Sequence, residues 1–160
     1  MSGMSKIVKT MTNIIFPIIV IFGLYVIAHG HLTPGGGFQG GAVVASACAM
    51  VLVAYGSIWT MDKIKEKQLS LIESIGAVSF ISLGLLGLIF GTVFFNNWFA
   101  NSNFFLFGEI ASWTNTAANI NTAGVLPLMN FAVGLKVIAG LFAIVLVMAY
   151  ATSKIKGGKQ

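Results

Sequence analysis

Residues 29–41 read "HGHLTPGGGFQGG", placing both histidines of the chain beside six glycines. Imidazole titrates near neutral pH, so His29 and His31 are candidates for passing protons. As metal ligands they supply half of a usual zinc site, and no cysteine or acid lies nearby to complete it. No metal site is expected. Gly35, Gly37 and Gly40 fit G-x-G-x-x-G, but a dinucleotide fingerprint must follow a strand and open a helix. This stretch lies between two long apolar runs and begins after a proline, so no nucleotide site is expected. Two further ionisable groups stand inside apolar sequence: Lys136 in "NFAVGLKVIAG" and Glu73 in "SLIESIG". An ammonium or carboxylate within a membrane costs free energy and is a candidate for an ion path.

The elements that must position these groups follow from hydropathy. Hydrophobic residues make up 57% of the 160, and charged residues only 8%. The mean hydropathy is +0.93. A soluble domain carries about 25% charged residues. Such a chain is expected to be a single all-α domain, residues 1–160, in the membrane. Four runs reach the roughly 20 apolar residues a crossing needs: about 8–28, 40–61, 71–95 and 126–151. The first run has lysines ahead of it, as a signal peptide would. Its core is long and no small-x-small cleavage site follows, so it is expected to remain as a span.

Nine lysines, four acids and no arginine give a net charge of +5. Lys6 and Lys9 precede the first run. Lys63, Lys65 and Lys67 separate the second and third. Lys154, Lys156 and Lys159 follow the fourth. With four crossings all of these fall on one side. The positive-inside rule then puts both termini and the 62–70 loop in the cytoplasm, and the glycine-rich turn and the 96–125 loop outside. Lysines clustered beside spans explain the basic balance, and the absence of arginine argues against phosphate or nucleic-acid recognition. The "DKIKEKQ" loop is expected to be a solvated turn; a dock for an acidic partner or anionic lipid is the alternative. Cys48 is the only cysteine, which excludes an intrachain disulfide.

Lys136 lies about 13 Å into the fourth run at 1.5 Å per residue, near the middle of a core about 30 Å thick. It must face protein or a wet cavity, or else be neutral, and is read either as the partner of an acid from a neighbouring subunit or as a charge within an ion path. Ser70 and Glu73 fit the S-x-x-E capping box, so Glu73 is expected to cap the third helix, with cation entry as the second reading. Asn130 could hydrogen-bond across helices. Glu109 is read as a surface acid. Gly36–Gly40, Gly37–Gly41 and Gly41–Ala45 are small-xxx-small steps, as is Gly87–Gly91, and each is expected to meet another helix closely. The aromatic residues of 96–125, Trp98 and Trp113 among them, suit a short helix or re-entrant segment at the membrane surface.

The stretch "HLTPGGGFQGG" resembles the H-x-x-P-G-G-G-F-x-G-G signature of the B subunit of multisubunit Mrp/Mnh-type cation/proton antiporters. His31, Pro34, Gly35, Gly36, Gly37, Phe38, Gly40 and Gly41 match it. "IESIGAVSF" and "PLMNFAVGLKV" extend the resemblance over most of the chain, and "NFAVGLKV" is similar to the versions in archaeal energy-converting complexes such as membrane-bound hydrogenases. The resemblance implies a multi-pass subunit of the cell membrane, working with other antiporter or hydrogenase membrane subunits that exchange Na⁺ for H⁺. It implies no cofactor and no catalytic residue on this chain. A purely structural membrane adaptor is the alternative from another class.

Overall fold

A computed structural model describes residues 4–100, 102, 106, 108–109 and 121–157. Five helices follow in chain order: α1 (Lys6–His29), α2 (Gly37–Tyr55), α3 (Ser57–Lys63), α4 (Glu66–Gly91) and α5 (Leu126–Gly157). Four of them, all but α3, are long and apolar enough to cross a membrane. An apolar run in lipid has no water for its backbone polar groups, so it satisfies them within the helix. Even Pro17 does not interrupt α1. Among the described residues there is no strand beyond an isolated bridge between Glu109 and Thr122.

The helices pack in a row, α1–α2–α5–α4, with α3 against α2 and α5. α1 and α2 are antiparallel, α2 and α5 parallel, and α4 and α5 antiparallel: Gly23 meets Val44, Gly37 meets Asn130, and Gly76 meets Ala132 and Lys136. Residues 4–6, 55–66 and 152–155 therefore share one end, the lysine end. Residues 29–37, 91–100 and 121–126 share the other, the glycine end. α1 also touches α5 where Ile27 meets Gly134, and the arrangement leaves broad apolar surfaces, with Ile21, Phe22, Ile89 and Phe90 all exposed. These surfaces suit lipid and neighbouring chains.

The second span is shorter than hydropathy suggested. α2 stops at Tyr55, and Gly56 turns the chain at φ +91° into α3. That φ belongs to the left-handed region where a Cβ is strained. Thr60 of α3 is buried and donates to the Gly56 carbonyl at 2.9 Å. α3 covers a core of Leu52, Leu69, Phe142 and Leu146, with Met61 and Ile64 packed on it.

The third helix begins five residues earlier than the sequence suggested, and this overturns the capping assignment of Glu73. Lys65 is the N-cap, and its N–H donates to the Gln68 side-chain oxygen at 3.3 Å. Glu66, in the first turn, complements the helix dipole. Ser70 and Glu73 lie inside the helix, and the Ser70 carbonyl accepts a bond from the Ser74 hydroxyl at 2.9 Å.

At its far end α4 stops at Gly91 and the chain folds back along it. The Phe95 N–H donates to the Gly84 carbonyl at 3.3 Å, and the Asn96 side-chain amide donates to the Gly91 carbonyl at 2.7 Å. A Cβ on Gly84 would lie 2.9 Å from the Phe95 ring, and one on Gly87 2.7 Å from the Asn96 nitrogen. The Gly87–Gly91 step thus meets the chain's own returning segment, not another helix. The rest of the expected loop structure, with Trp113, lies outside the described residues.

Asn97 then ties this segment to α5. Its amide donates to the Ala123 carbonyl at 3.1 Å, and its oxygen accepts the Val125 N–H at 2.8 Å. Val125 is 2% exposed. Asn97→Ala is expected to destabilise the folded chain by about 1–3 kcal/mol, because it strands a buried N–H. Thermal melting of the purified full chain checks this; an unchanged midpoint would remove the clamp from the account.

Candidate functional site

Glu73 of α4 and Lys136 of α5 both border the seam between these two helices. Gly76 allows the two backbones to touch: a Cβ there would lie 2.8 Å from both the Ala132 oxygen and the Lys136 nitrogen, and 3.0 Å from the Lys136 Cβ. Glu73, one turn away on α4, lays its carboxylate against Gly140, where a Cβ would sit 3.4 Å from its Cδ and Oε1. Gly140 is four residues beyond Lys136, about 6 Å along the helix. The crease between α4 and α5 therefore holds the Glu73 carboxylate and the Cβ of Lys136 at neighbouring levels, within two membrane-spanning helices. Glu73 is half-buried and Lys136 exposed on the isolated chain.

The glycine-rich stretch forms a second region at the opposite end of the row. A turn at residues 30–36 joins α1 to α2, with Gly35 at φ +91°. Gly36 and Gly37 sit on Asn130 of α5: a Cβ at Gly36 would lie 2.9 Å from the Asn130 amide, and one at Gly37 would run into the Asn130 carbonyl oxygen. One turn on, Gly40 meets the Gly23 carbonyl of α1 at 2.6 Å from its notional Cβ, and Gly41 meets Val137 of α5 at 2.9 Å. The paired glycines thus press α2 against α1 on one side and α5 on the other. Pro34 and Phe38 are exposed.

His29 ends α1, stacked on Tyr25 with ring centroids 5.2 Å apart, and its Nδ1 is buried without a hydrogen-bond partner among the described residues. His31 follows in the turn and is half-buried. Asn130 faces this turn and Lys136 faces α4. The six-residue step from one to the other rises about 9 Å along the helix. The histidines and the Glu73–Lys136 pair therefore occupy separate regions. Among the described residues no group of three or more His, Cys, Asp or Glu could hold a metal ion.

The comparisons with known proteins agree with this architecture. A family model described as a domain related to the MnhB subunit of Na⁺/H⁺ antiporter matches residues 7–143. The chain belongs to the MnhB family. An uncharacterized protein of Methanocaldococcus jannaschii is 37% identical over 142 residues, covering 86% of this chain and 49% of that protein. A putative antiporter subunit mnhB2 of Staphylococcus epidermidis is 33% identical over 112 residues, 69% of this chain and 77% of that one. Among solved structures, a chain of the membrane-bound sulfane sulfur reductase, an archaeal respiratory membrane complex, superposes with a TM-score of 0.68 at 29% identity. That match covers 92% of this chain and 61% of the other. The present chain thus spans about half of the archaeal relative and under two thirds of the matched reductase chain.

An MnhB chain with four such helices is a multi-pass membrane protein. The family match spans all of the elements described above except the last part of α5, so both the glycine contacts and the α4–α5 crease lie within it. Sequence reasoning named Glu73 and Lys136 separately. Their juxtaposition needs the register of α4 on α5, which Gly76 and Gly140 set and which no local pattern encodes.

Proposed function

We propose that this chain is the B-type membrane subunit of a multisubunit Na⁺/H⁺ antiporter module, and that the Glu73–Lys136 crease is its charged contribution to the ion path. The observation that carries the reading is the Glu73 carboxylate resting on Gly140, one helical turn from Lys136. An ammonium near the membrane centre costs about 2.5–3.5 kcal/mol on insertion scales. A carboxylate within a helical turn of it on the facing helix offsets part of that cost.

Such a pair suits cation exchange. A Na⁺ or H⁺ arriving at Glu73 competes with Lys136 for one negative charge, so occupancy by one cation disfavours the other. On the positive-inside orientation the Glu73 side of the crease faces the cytoplasm. His29 and His31, at the other end, place two imidazoles on the outer approach, offset from the crease. The chain itself catalyses no reaction on this reading, and any redox chemistry belongs to other chains.

A second reading is favoured by the likeness to a chain of an archaeal respiratory complex. There the same subunit would sit in a redox-driven membrane complex, a hydrogenase or a reductase, with electron transfer on its partners. Both readings give the crease the same role. The adaptor reading gives it none.

Glu73→Gln keeps the side-chain shape and removes the charge. In sealed vesicles holding the whole complex, sodium-dependent proton movement is expected to fall by at least about tenfold, which is the loss of about 1.4 kcal/mol. The complex should remain intact on a native gel. A normal rate would exclude Glu73 from the path.

A further inference from the structure

At the lysine end a cavity of about 450 Å³ opens between the start of α1, the α2–α3 break and the end of α5. This is within the size range of small-molecule sites. Its walls are of two kinds. Met4, Val53 and Met148 are apolar, and Ser57, Thr152 and Ser153 bring hydroxyls. The Thr152 and Ser153 hydroxyls donate to carbonyls of their own helix, those of Met148 and Tyr150 at 2.8 Å each, and keep acceptor and further polar capacity at the surface. Gly56 also lines the cavity; its φ of +91° excludes a side chain and turns α2 aside.

Lysines flank this cavity in the chain, next to its wall residues but outside the wall itself. Met4 is tied to α2 by its N–H on the Ala54 carbonyl at 2.9 Å, and Lys6 follows it by two residues. Lys154 follows Ser153 directly. Lys9 holds its ammonium 5.5 Å from the centre of the Tyr55 ring, and Tyr55 stacks on Trp59 at 4.5 Å. Tyrosine and tryptophan of this kind sit at headgroup depth in membranes. Asp62 and Glu66 stand at this end as well, against Lys6, Lys9, Lys63, Lys65, Lys67 and Lys154, so the end carries a net positive charge.

We propose that this cavity binds one anionic phospholipid, with an acyl chain against Met4, Val53 and Met148 and its phosphate among Lys6, Lys9 and Lys154. An amphiphile matches the apolar wall and the hydroxyl and lysine rim together, and the sign of the rim selects an anionic headgroup. The larger groove between α4 and α5, about 600 Å³ with Ser79 and Ser82 in its wall, has no cluster of lysines around it and serves as the comparison. The proposal is independent of the ion path.

The test is native mass spectrometry of the purified full chain titrated with phosphatidylglycerol or phosphatidylcholine. Phosphatidylglycerol should be retained more strongly. Lys6→Gln and Lys154→Gln should each weaken its retention about fivefold, the equivalent of about 1 kcal/mol per lysine near an anionic headgroup. Ser153→Phe fills the cavity without breaking a contact between helices and should abolish retention; Ser79→Phe, in the other groove, should not. Thr152→Leu, exposed on the same wall, repeats the filling test with a smaller side chain should Ser153→Phe fail to fold. Equal retention of the two lipids, indifference to both lysine changes, or persistence of the lipid in the filled variants would overturn the proposal. Displacement of the lipid by glycerol phosphate at equal concentration would overturn it too, because a free phosphate would then suffice.

Discussion

Lys136→Ala is expected to leave the complex assembled while sodium-dependent transport falls by at least about tenfold. The two halves of this result come from different parts of the residue. The backbone and Cβ of Lys136 make the contact with Gly76, and alanine keeps both. Alanine is also the better helix former, and it removes an insertion cost of about 2.5–3.5 kcal/mol. Stability in the membrane should therefore hold or rise. The ammonium beyond Cβ is exposed on the isolated chain, so packing within the chain does not need it. Its loss leaves Glu73 without the cation that a transported ion must displace. Native gels and transport in sealed vesicles, on the same preparation, measure both halves. Collapse of the complex would make Lys136 a packing partner, and full transport in an intact complex would support the adaptor reading.

Gly37→Ala should do the opposite, harming the fold before it harms transport. The new methyl would run into the Asn130 carbonyl oxygen and lie 3.0 Å from the Gly134 nitrogen. Both are helix backbone and cannot rotate away, so α2 and α5 must separate. Overpacking of this kind costs about 1–3 kcal/mol. Gly140→Ala is the control, since its methyl would be at an ordinary 3.4 Å from the Glu73 carboxylate. The melting temperature of the purified chain should fall for Gly37→Ala and stay close to the original for Gly140→Ala. Equal midpoints would refute the close-approach account of the glycine stretch.

The two substitutions mark what the sequence could and could not disclose. The four spans were readable because hydropathy and lysine placement are summed over many residues. Helix ends were less so, because hydropathy locates the membrane rather than the helix. The KEKQ residues form the first turn of α4 although they are polar, and the S-x-x-E pattern at Ser70 falls inside that helix. Gly56 breaks α2 within a run that remains apolar on both sides, so its positive φ left no mark on the hydropathy. The Gly87–Gly91 step suggested another helix as its neighbour, but a small-residue step does not say what fills it. Gly76 takes α5, and Gly84, Gly87 and Gly91 take residues 95–96. The meeting of Glu73 with the Lys136 turn depends on the register of two helices separated by a long loop. Local residue types carry no information on that register.

Sodium-driven proton movement by the whole complex carrying Glu73→Gln, Lys136→Gln or both tests the central claim most directly. Two residues that act as one unit give non-additive losses. Here each single variant should lose at least about tenfold, and the double variant should be no slower than the worse of the two. Losses that multiply in the double variant, or single variants that transport normally, would contradict a shared role for this pair in moving ions.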